Sequence, residues 1–207
     1  MNKDLVYSSI KPNIKIILAS GSESRKLMLK EAGIDFQTIV SNTDEEKLKE
    51  TISTLPFAEQ VVHLAKAKAL SVSNSNPNSI VIGGDQMCEL KQKIFNKPGS
   101  YKKAVENLKL LSGQKHNQHS GVCIYKDEEC LWEYSETVEL KMHKLSDEEI
   151  TNYVSIENPI HAAGAYKFES LGCNLFEYVK GSSFTVRGMP LIPLLNALRE
   201  LQIISLK

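Results

Sequence analysis

Apolar residues along this chain fall into two kinds of run, short unbroken stretches and longer stretches at helical spacing. Ile14-Lys15-Ile16-Ile17-Leu18-Ala19 is nearly continuous, as a strand buried on both faces would be. Ser20-Gly21-Ser22 interrupts it and predicts a helix start, with the helix running to about Ala32 and stopped by Gly33. Ile34 to Val40 reads as a second strand. A helix is predicted from about Pro56 to Val72, then a Ser/Asn-rich loop within Ser71 to Ser79. Ile80-Val81-Ile82-Gly83-Gly84 is another buried strand, expected to end at Asp85. A short strand precedes Asn96-Lys97-Pro98. Tyr101, Ala104, Val105, Leu108 and Leu111 mark a helix that closes at Ser112-Gly113.

Beyond this point the period changes. His119 to His143 alternates and is rich in β-branched and aromatic residues, which predicts a hairpin around Asp127-Glu128-Glu129. Ser146-x-x-Glu149 is a capping box for a helix through about Ile156. Leu175 to Val179 is the last strand, and Pro190 to Leu201 a final amphipathic helix with Leu191, Leu194, Leu195 and Leu198 on one face. Strands alternating with helices give an α/β class, and the hairpin makes the sheet mixed. No repeat or low-complexity segment divides the chain, so residues 1–207 are read as one domain, with residues 1–13 a loose N-terminal extension.

Composition narrows the function. A chain of 207 residues can bury about 70% of its unfolded surface, enough for a real core. Lys plus Arg and Asp plus Glu both number 25. That balance argues against a nucleic-acid binder that relies on bulk phosphate neutralisation, but permits a local cationic pocket for one small anion. No apolar run approaches the ~18 residues of a membrane span, and the opening residues hold no signal-peptide core. A soluble, cytoplasmic protein with no membrane partner is expected. The four cysteines, Cys88, Cys123, Cys130 and Cys173, form no C-x-x-C pair and read as free thiols. His116, His119, Cys123 and Cys130 are zinc-ligand types and raise a rival zinc reading, although their spacing fits no standard motif.

The candidate chemistry sits where strands meet helices. At Ser20-Gly21-Ser22-Glu23-Ser24-Arg25-Lys26, hydroxyls and free N–H groups gather at a helix N-terminus, where Arg25 and Lys26 oppose the helix dipole unless an anion binds there. The alternative is an ordinary Ser N-cap with solvated basic residues. Val61, Leu64, Ala65 and Lys68 share a helix face, so Lys68 lies on the apolar stripe while Lys66 faces away. Lys68 is therefore either a snorkelling stem or an inward charge aimed at a cleft anion. Asp85, after an apolar strand, is placed to hold a metal or orient a water, or else to form a turn. Asp44-Glu45-Glu46 and Asn96-Lys97-Pro98 also follow strands. Carboxylates for a divalent cation, with Ser, Arg and Lys for phosphates, are the parts of phosphate chemistry. Walker A, G-x-G-x-x-G and G-x-S-x-G sequences are all missing from the chain.

From about Ile16 to Leu201 the chain resembles the Maf family of nucleotide pyrophosphatases. The motifs that carry the resemblance are Leu18 to Arg25, Asp44-Glu45, Leu64 to Ala69 with Lys68, Asp85, Lys97-Pro98, Ser112 to His116, Ser120-Gly121-Val122, Ala163-Gly164-Ala165-Tyr166 and Gly188-Met189-Pro190-Leu191. The resemblance implies an elongated, two-lobed Maf/ITPase-like α/β fold around a mixed β-sheet with a central cleft, often homodimeric. It implies Mg²⁺- or Mn²⁺-dependent release of pyrophosphate from a nucleoside triphosphate. In that reading Asp85 is the general base and Asp85 and Glu45 hold the metal. Lys68 and Lys97 complete the catalytic set, while Ser20, Ser22, Ser24, Arg25, Gln86 and Glu169 bind substrate.

Gln86 and Glu169, with Asp85-Gln86-Met87-Cys88 and Asn174-Leu175-Phe176-Glu177, are similar to the 7-methyl-GTP branch rather than to the pyrimidine-preferring one. A carboxylate can accept both N–H groups of guanine's Watson–Crick edge and offset the charge of N7-methylation. Two positions depart from the family: Glu23 replaces a proline near the supposed phosphates, and Ser24 replaces the aromatic residue usual in that branch. The alternatives to a 7-methyl-GTP pyrophosphatase are a pyrimidine (dTTP or UTP) pyrophosphatase and a nucleotide-binding regulator of cell division without turnover.

Overall fold

The computed structural model describes residue 10 and residues 12–205. Its strands are β1 (Ile16–Leu18), β2 (Gln37–Thr38), β3 (Ile80–Leu90), β4 (Lys93–Ile94), β5 (Lys115–Lys126), β6 (Glu129–Met142) and β7 (Phe176–Lys180). Its helices are α1 (Glu23–Glu31), α2 (Glu45–Thr51), α3 (Phe57–Ser73), α4 (Tyr101–Leu111), α5 (Asp147–Glu157), α6 (Ser183–Val186) and α7 (Leu191–Glu200). The strands form one mixed sheet in the order β2-β1-β3-β5-β6-β7, with β4 also paired to β3. β1 runs parallel to β2 and β3, whereas the ladders from β3 through β5 and β6 to β7 are antiparallel. The mixed α/β class follows from this arrangement.

The turns form where the local chemistry calls for them. Asp127 and Glu128 both take positive φ (47° and 70°), the two-residue connection whose twist matches a hairpin. Ser146 and Glu149 make both bonds of the capping box of α5. Gly33, at φ 73°, takes the left-handed position just past the end of α1. Of residues 1–13, expected as a loose extension, 1–9 and 11 lie outside the described residues. Ile10 bridges Ile34 in parallel, and Asn13 bonds to the main chain of Gln202 and Ile203.

Two expectations need correction, and α2 is not among the predicted elements. β3 does not end at Asp85 but runs on to Leu90, because every residue from Ile80 to Glu89 pairs with β5. Gly83-Gly84 is therefore no strand stop. A Cβ on Gly83 would stand 2.2 Å from the Ala65 carbonyl oxygen, so that glycine serves close helix-to-sheet approach. The acidic run Asp44-Glu45-Glu46 is the N-cap and first turn of α2, which buries no residue and so leaves no apolar period to read. The strand expected over Ile34 to Val40 keeps only Gln37–Thr38.

The core lies on both faces of the sheet. On one face, Ala65, Ala69 and Val72 of α3 pack on Ile17, Val81, Cys123 and Tyr125. The other face carries two separate clusters. Met28 and Leu29 of α1 and Leu191, Leu194 and Leu198 of α7 cover Ile80, Ile82, Val122 and Ile124. Further along, Leu108 and Leu111 of α4 and Ile150 and Val154 of α5 cover Cys88, Val138 and Leu140. These two lobes leave the middle of β3, around Gly84 and Gln86, uncovered by either core.

Candidate active site

The cleft arises from a gap in the sheet. β1 ends at Leu18, with Ala19 N–H donating to the Ile82 carbonyl at 2.8 Å, and β4 begins only at Lys93, with Phe95 N–H donating to the Cys88 carbonyl at 2.8 Å. Among the described residues, β3 between these points has a strand neighbour on its β5 side only. Backbone direction alternates along a strand and the β3–β5 register has no shift. Gly84 and Gln86, of the same parity as Ile82 and Cys88, therefore turn their main-chain groups into the gap. Among the described residues no hydrogen bond from β1 or β4 reaches them.

Asp85 has the opposite parity and points to the face covered by α3. Lys68 rises from the apolar stripe of that helix to meet it, Nζ to Oδ1 at 2.6 Å, and also contacts Glu45 Oε1 at 3.0 Å. Two small positions seat the helix. A Cβ on Gly121 would lie 2.6 Å from the Val61 carbonyl group, and Gly83 admits Ala65 in the same way. Lys66 faces outward and pairs with Glu133 on the surface. Asp85 and Lys68 are 7% and 8% exposed, so the Lys68 charge points inward and is paired with carboxylates, not snorkelled to water.

Arg25 is buried on the opposite side of β3. Its guanidinium lies across Gly84, where a Cβ would come within 3.2 Å of Nε. Nε donates to the Gly188 carbonyl (2.8 Å) and Nη1 to Ser20 Oγ (3.1 Å), which leaves further N–H donors for an anion. Ser22 caps α1, accepting from Arg25 N–H at 3.4 Å, and its own N–H donates to Ser20 Oγ at 3.2 Å. Glu23, which replaces the family proline, pairs with Lys26 at 2.7 Å with its side chain 85% exposed, so its charge is held in solvent. Ser24 Oγ is buried without a hydrogen-bond partner among the described residues.

Ser20, Ser22, Ser24, Arg25, Glu45, Lys68, Asp85, Gln86, Lys97 and Glu169 all line one cleft of about 1080 Å³. Burial would raise the Glu45 carboxyl, but Lys68, with Lys49 and Lys97, outweighs it and holds the group below the usual carboxylate range. Burial lowers Arg25 from its ordinary value against the pull of Asp85 and Glu45. Lys97 has an exposed side chain, yet desolvation at the cleft wall and the Arg25 and Lys68 charges push its pKa down. Three cations thus crowd one cleft in which Asp85 and Glu45 face Lys68. An anionic ligand would relieve that crowding.

Gln86 Nε2 donates to the Val186 carbonyl at 2.7 Å and to that of Thr185 at 3.3 Å, leaving Oε1 as its acceptor. Glu169 is exposed at the cleft rim. Aromatic residues that the residue-by-residue reading did not single out also line the cleft: Phe95, Phe168 and Tyr166. Tyr166 was visible only as the end of the Ala163-Gly164-Ala165-Tyr166 motif, and Phe168 had no signal in the sequence. The zinc reading fails because His116 and His119 lie on opposite faces of β5. His116 contacts Tyr166, and His119 contacts Thr137 and approaches Glu89. No group of three or more His, Cys, Asp or Glu able to hold a metal exists among the described residues. Asp85 and Glu45 are two carboxylates on one ammonium. That donor set suits a Mg²⁺-type cation that arrives with phosphate oxygens and water rather than one caged by protein alone.

A family profile described as Maf-like protein matches residues 15–201. A Legionella pneumophila protein described as a nucleoside triphosphate pyrophosphatase is 41% identical over 92% of this chain and 96% of its own length. A Rhizobium johnstonii protein described as a 7-methyl-GTP pyrophosphatase is 38% identical over 90% of this chain and 96% of its own. A solved HAM1 protein from Coxiella burnetii overlaps 64% of this chain and 74% of its own at TM-score 0.38 and 13% identity, too slight a likeness to carry an argument.

Proposed function

The chain belongs to the Maf family, and on that premise we propose that this cleft splits a nucleoside triphosphate between its α- and β-phosphates, with 7-methyl-GTP the preferred substrate. At the coarser level the chain is a nucleoside triphosphate pyrophosphatase, a hydrolase. The reading rests on one observation: Lys68 Nζ bridges Asp85 and Glu45 at 2.6 and 3.0 Å in a cleft that also holds Arg25 and Lys97.

In this mechanism the triphosphate tail lies along Ser20, Ser22 and the start of α1, with Arg25 and Lys97 meeting its charge. Lys68 fixes Asp85 through Oδ1, and Oδ2 has no protein partner among the described residues. Asp85 Oδ2 then accepts the proton of a water whose oxygen forms a bond to the α-phosphorus. The α-phosphorus to bridging-oxygen bond breaks, and its electron pair leaves with pyrophosphate. Asp85 and Glu45 would hold a divalent cation, which when bound neutralises phosphate charge and lowers the pKa of a coordinated water. Fixed charges already in place supply most of the acceleration.

The preference for base rests on acceptors. Gln86, both of whose amide hydrogens go to carbonyls, and the Glu169 carboxylate at the rim both offer oxygen lone pairs. Guanine presents N–H donors on its Watson–Crick edge, and N7-methylation adds a positive charge that suits Glu169. The 7-methyl-GTP description of the Rhizobium relative supports the same choice. The test is a panel of 7-methyl-GTP, GTP, UTP and dTTP with Mg²⁺ or Mn²⁺, scored for monophosphate and pyrophosphate. Pyrophosphate should appear fastest from 7-methyl-GTP, and Asp85→Asn should lower kcat by ~10² or more. Faster turnover of UTP or dTTP would overturn the base assignment, and no pyrophosphate from any of the four would overturn the activity.

A further inference from the structure

The segment of α6 and the turn after it, 183–188, is a hub rather than a loop. Thr185 is fully buried. Its carbonyl accepts from Ser120 Oγ of β5 at 2.8 Å and from Gln86 Nε2 of β3 at 3.3 Å, and the next carbonyl, of Val186, takes the same amide at 2.7 Å. Two residues on, the Gly188 carbonyl holds Arg25 Nε at 2.8 Å. Gly188 takes φ 105°, and a Cβ there would press on Gln86 Oε1 at 3.1 Å. A single short segment therefore sets the orientation of two cleft side chains, one from α1 and one from β3.

A four-residue helix bound only by its own main chain would hold that hub loosely. The Thr185 hydroxyl, however, does not turn back on its own helix, the usual local choice for threonine. It donates instead to the Glu136 carboxylate of β6. That charge-assisted bond ties the hub to the strand next to β5, with Ser120 and Glu136 directly paired across the two strands.

We propose that Thr185, held by Glu136, is a positioning residue that fixes Gln86 and Arg25 for the nucleotide. This rests on the pyrophosphatase reading above. The bond to Glu136 anchors α6, and the carbonyls of Thr185, Val186 and Gly188 in turn dictate where the Gln86 amide and the Arg25 guanidinium stand. Small displacements of such groups are expensive, since a shift of ~1 Å can cost ~10²-fold in rate.

The test compares wild type with Thr185→Val, Thr185→Ser, Glu136→Gln, Gln86→Ala and the Thr185→Val/Gln86→Ala double variant. Each is measured for 7-methyl-GTP turnover, for equilibrium binding of the same nucleotide, and for thermal unfolding. Thr185→Val, which keeps shape and removes the hydroxyl, should lower kcat/KM by ~10-fold or more and weaken binding. Thr185→Ser should restore most of the loss, and Glu136→Gln, which keeps an acceptor but not the charge, should fall between. The double variant should fall short of additivity, because the part of the Thr185 loss that acts through the Gln86 amide is already gone once that amide is removed. Wild-type kcat/KM and binding in a Thr185→Val protein of lowered Tm would reduce Thr185 to a structural role and overturn the proposal, as would strict additivity in the double variant. If Thr185→Val fails to fold, Glu136→Gln decides by the same readouts. If wild type binds 7-methyl-GTP but releases pyrophosphate from none of the four triphosphates, the pyrophosphatase reading fails while the binding arm still judges Thr185. A wild type that binds none of the four overturns both.

Discussion

At the residue scale, two lysines two positions apart on one helix do opposite things, and the apolar period separates them. Lys68 shares a face with Val61, Leu64 and Ala65 and ends 2.6 Å from Asp85, whereas Lys66 meets Glu133 with both side chains partly in water. Removing the Lys68 ammonium strands two carboxylates against each other. Losing one partner of a buried pair costs ~3–5 kcal/mol. The lower end applies here, because the Glu45 side chain is 41% exposed and Arg25 and Lys97 remain nearby. Lys68→Met should therefore lose about 3 kcal/mol in urea unfolding and ~10²-fold in kcat. Lys66→Met should stay within ~0.5 kcal/mol of wild type with full turnover. Equal effects of the two substitutions on both measurements would mean that Lys68 is only a surface charge.

At the element scale, the seating of α3 decides whether Lys68 reaches its partners, and two glycines set it. The Gly121 Cβ position lies within 2.6 Å of Val61 main-chain atoms, and main chain cannot rotate aside as a flexible side-chain end can. Gly121→Ala must lift α3 from β5. Overpacking of this kind costs ~1–3 kcal/mol, and the catalytic loss should exceed what that destabilisation explains, since Lys68 moves with the helix. A Gly121→Ala protein with unchanged kcat at a temperature where it is fully folded would show that the seat is not needed. The same glycines explain what the sequence hid. Gly83-Gly84 reads as punctuation by composition, yet its role is close approach inside a strand that continues to Leu90. Tyr101–Leu111 and the Ser146 capping box were legible because their apolar period or their capping chemistry is written locally. α2 was not, because it buries no side chain, nor was α6, which is too short to show a period. The individual candidate residues could be named from type and motif. Their arrangement could not, because the gap between β1 and β4 that admits them is a product of strand lengths in three dimensions.

At the scale of the whole molecule, the lobe beyond the cleft is built around a neutral histidine, and that makes stability depend on pH. His116 is 2% exposed, bonds through Nε2 to the Tyr166 hydroxyl at 2.9 Å, and packs against the Phe176 ring. Burial lowers its pKa from 6.5 to about 4, against smaller opposing pulls from the Gln114 main chain and from Glu89. A depressed folded value means that the unfolded chain binds the proton first. The stability is therefore fully present above pH 6.5 and is lost as pH falls toward 4, by about 3 kcal/mol at most. His119, also lowered chiefly by burial, adds to the same slope. Glu45 acts in a lower window, because its pKa is held below 4.5 and its contribution is lost only as pH falls through that range. Between pH 6 and 5 the histidines thus stand alone. Urea midpoints measured across that interval should fall with pH in wild type, and His116→Gln, which keeps a hydrogen-bonding partner for Tyr166, should flatten most of the fall and leave the remainder due to His119. An undiminished slope in that variant would mean that His116 is protonated within the folded lobe, and that the lobe is open enough to water to solvate its charge.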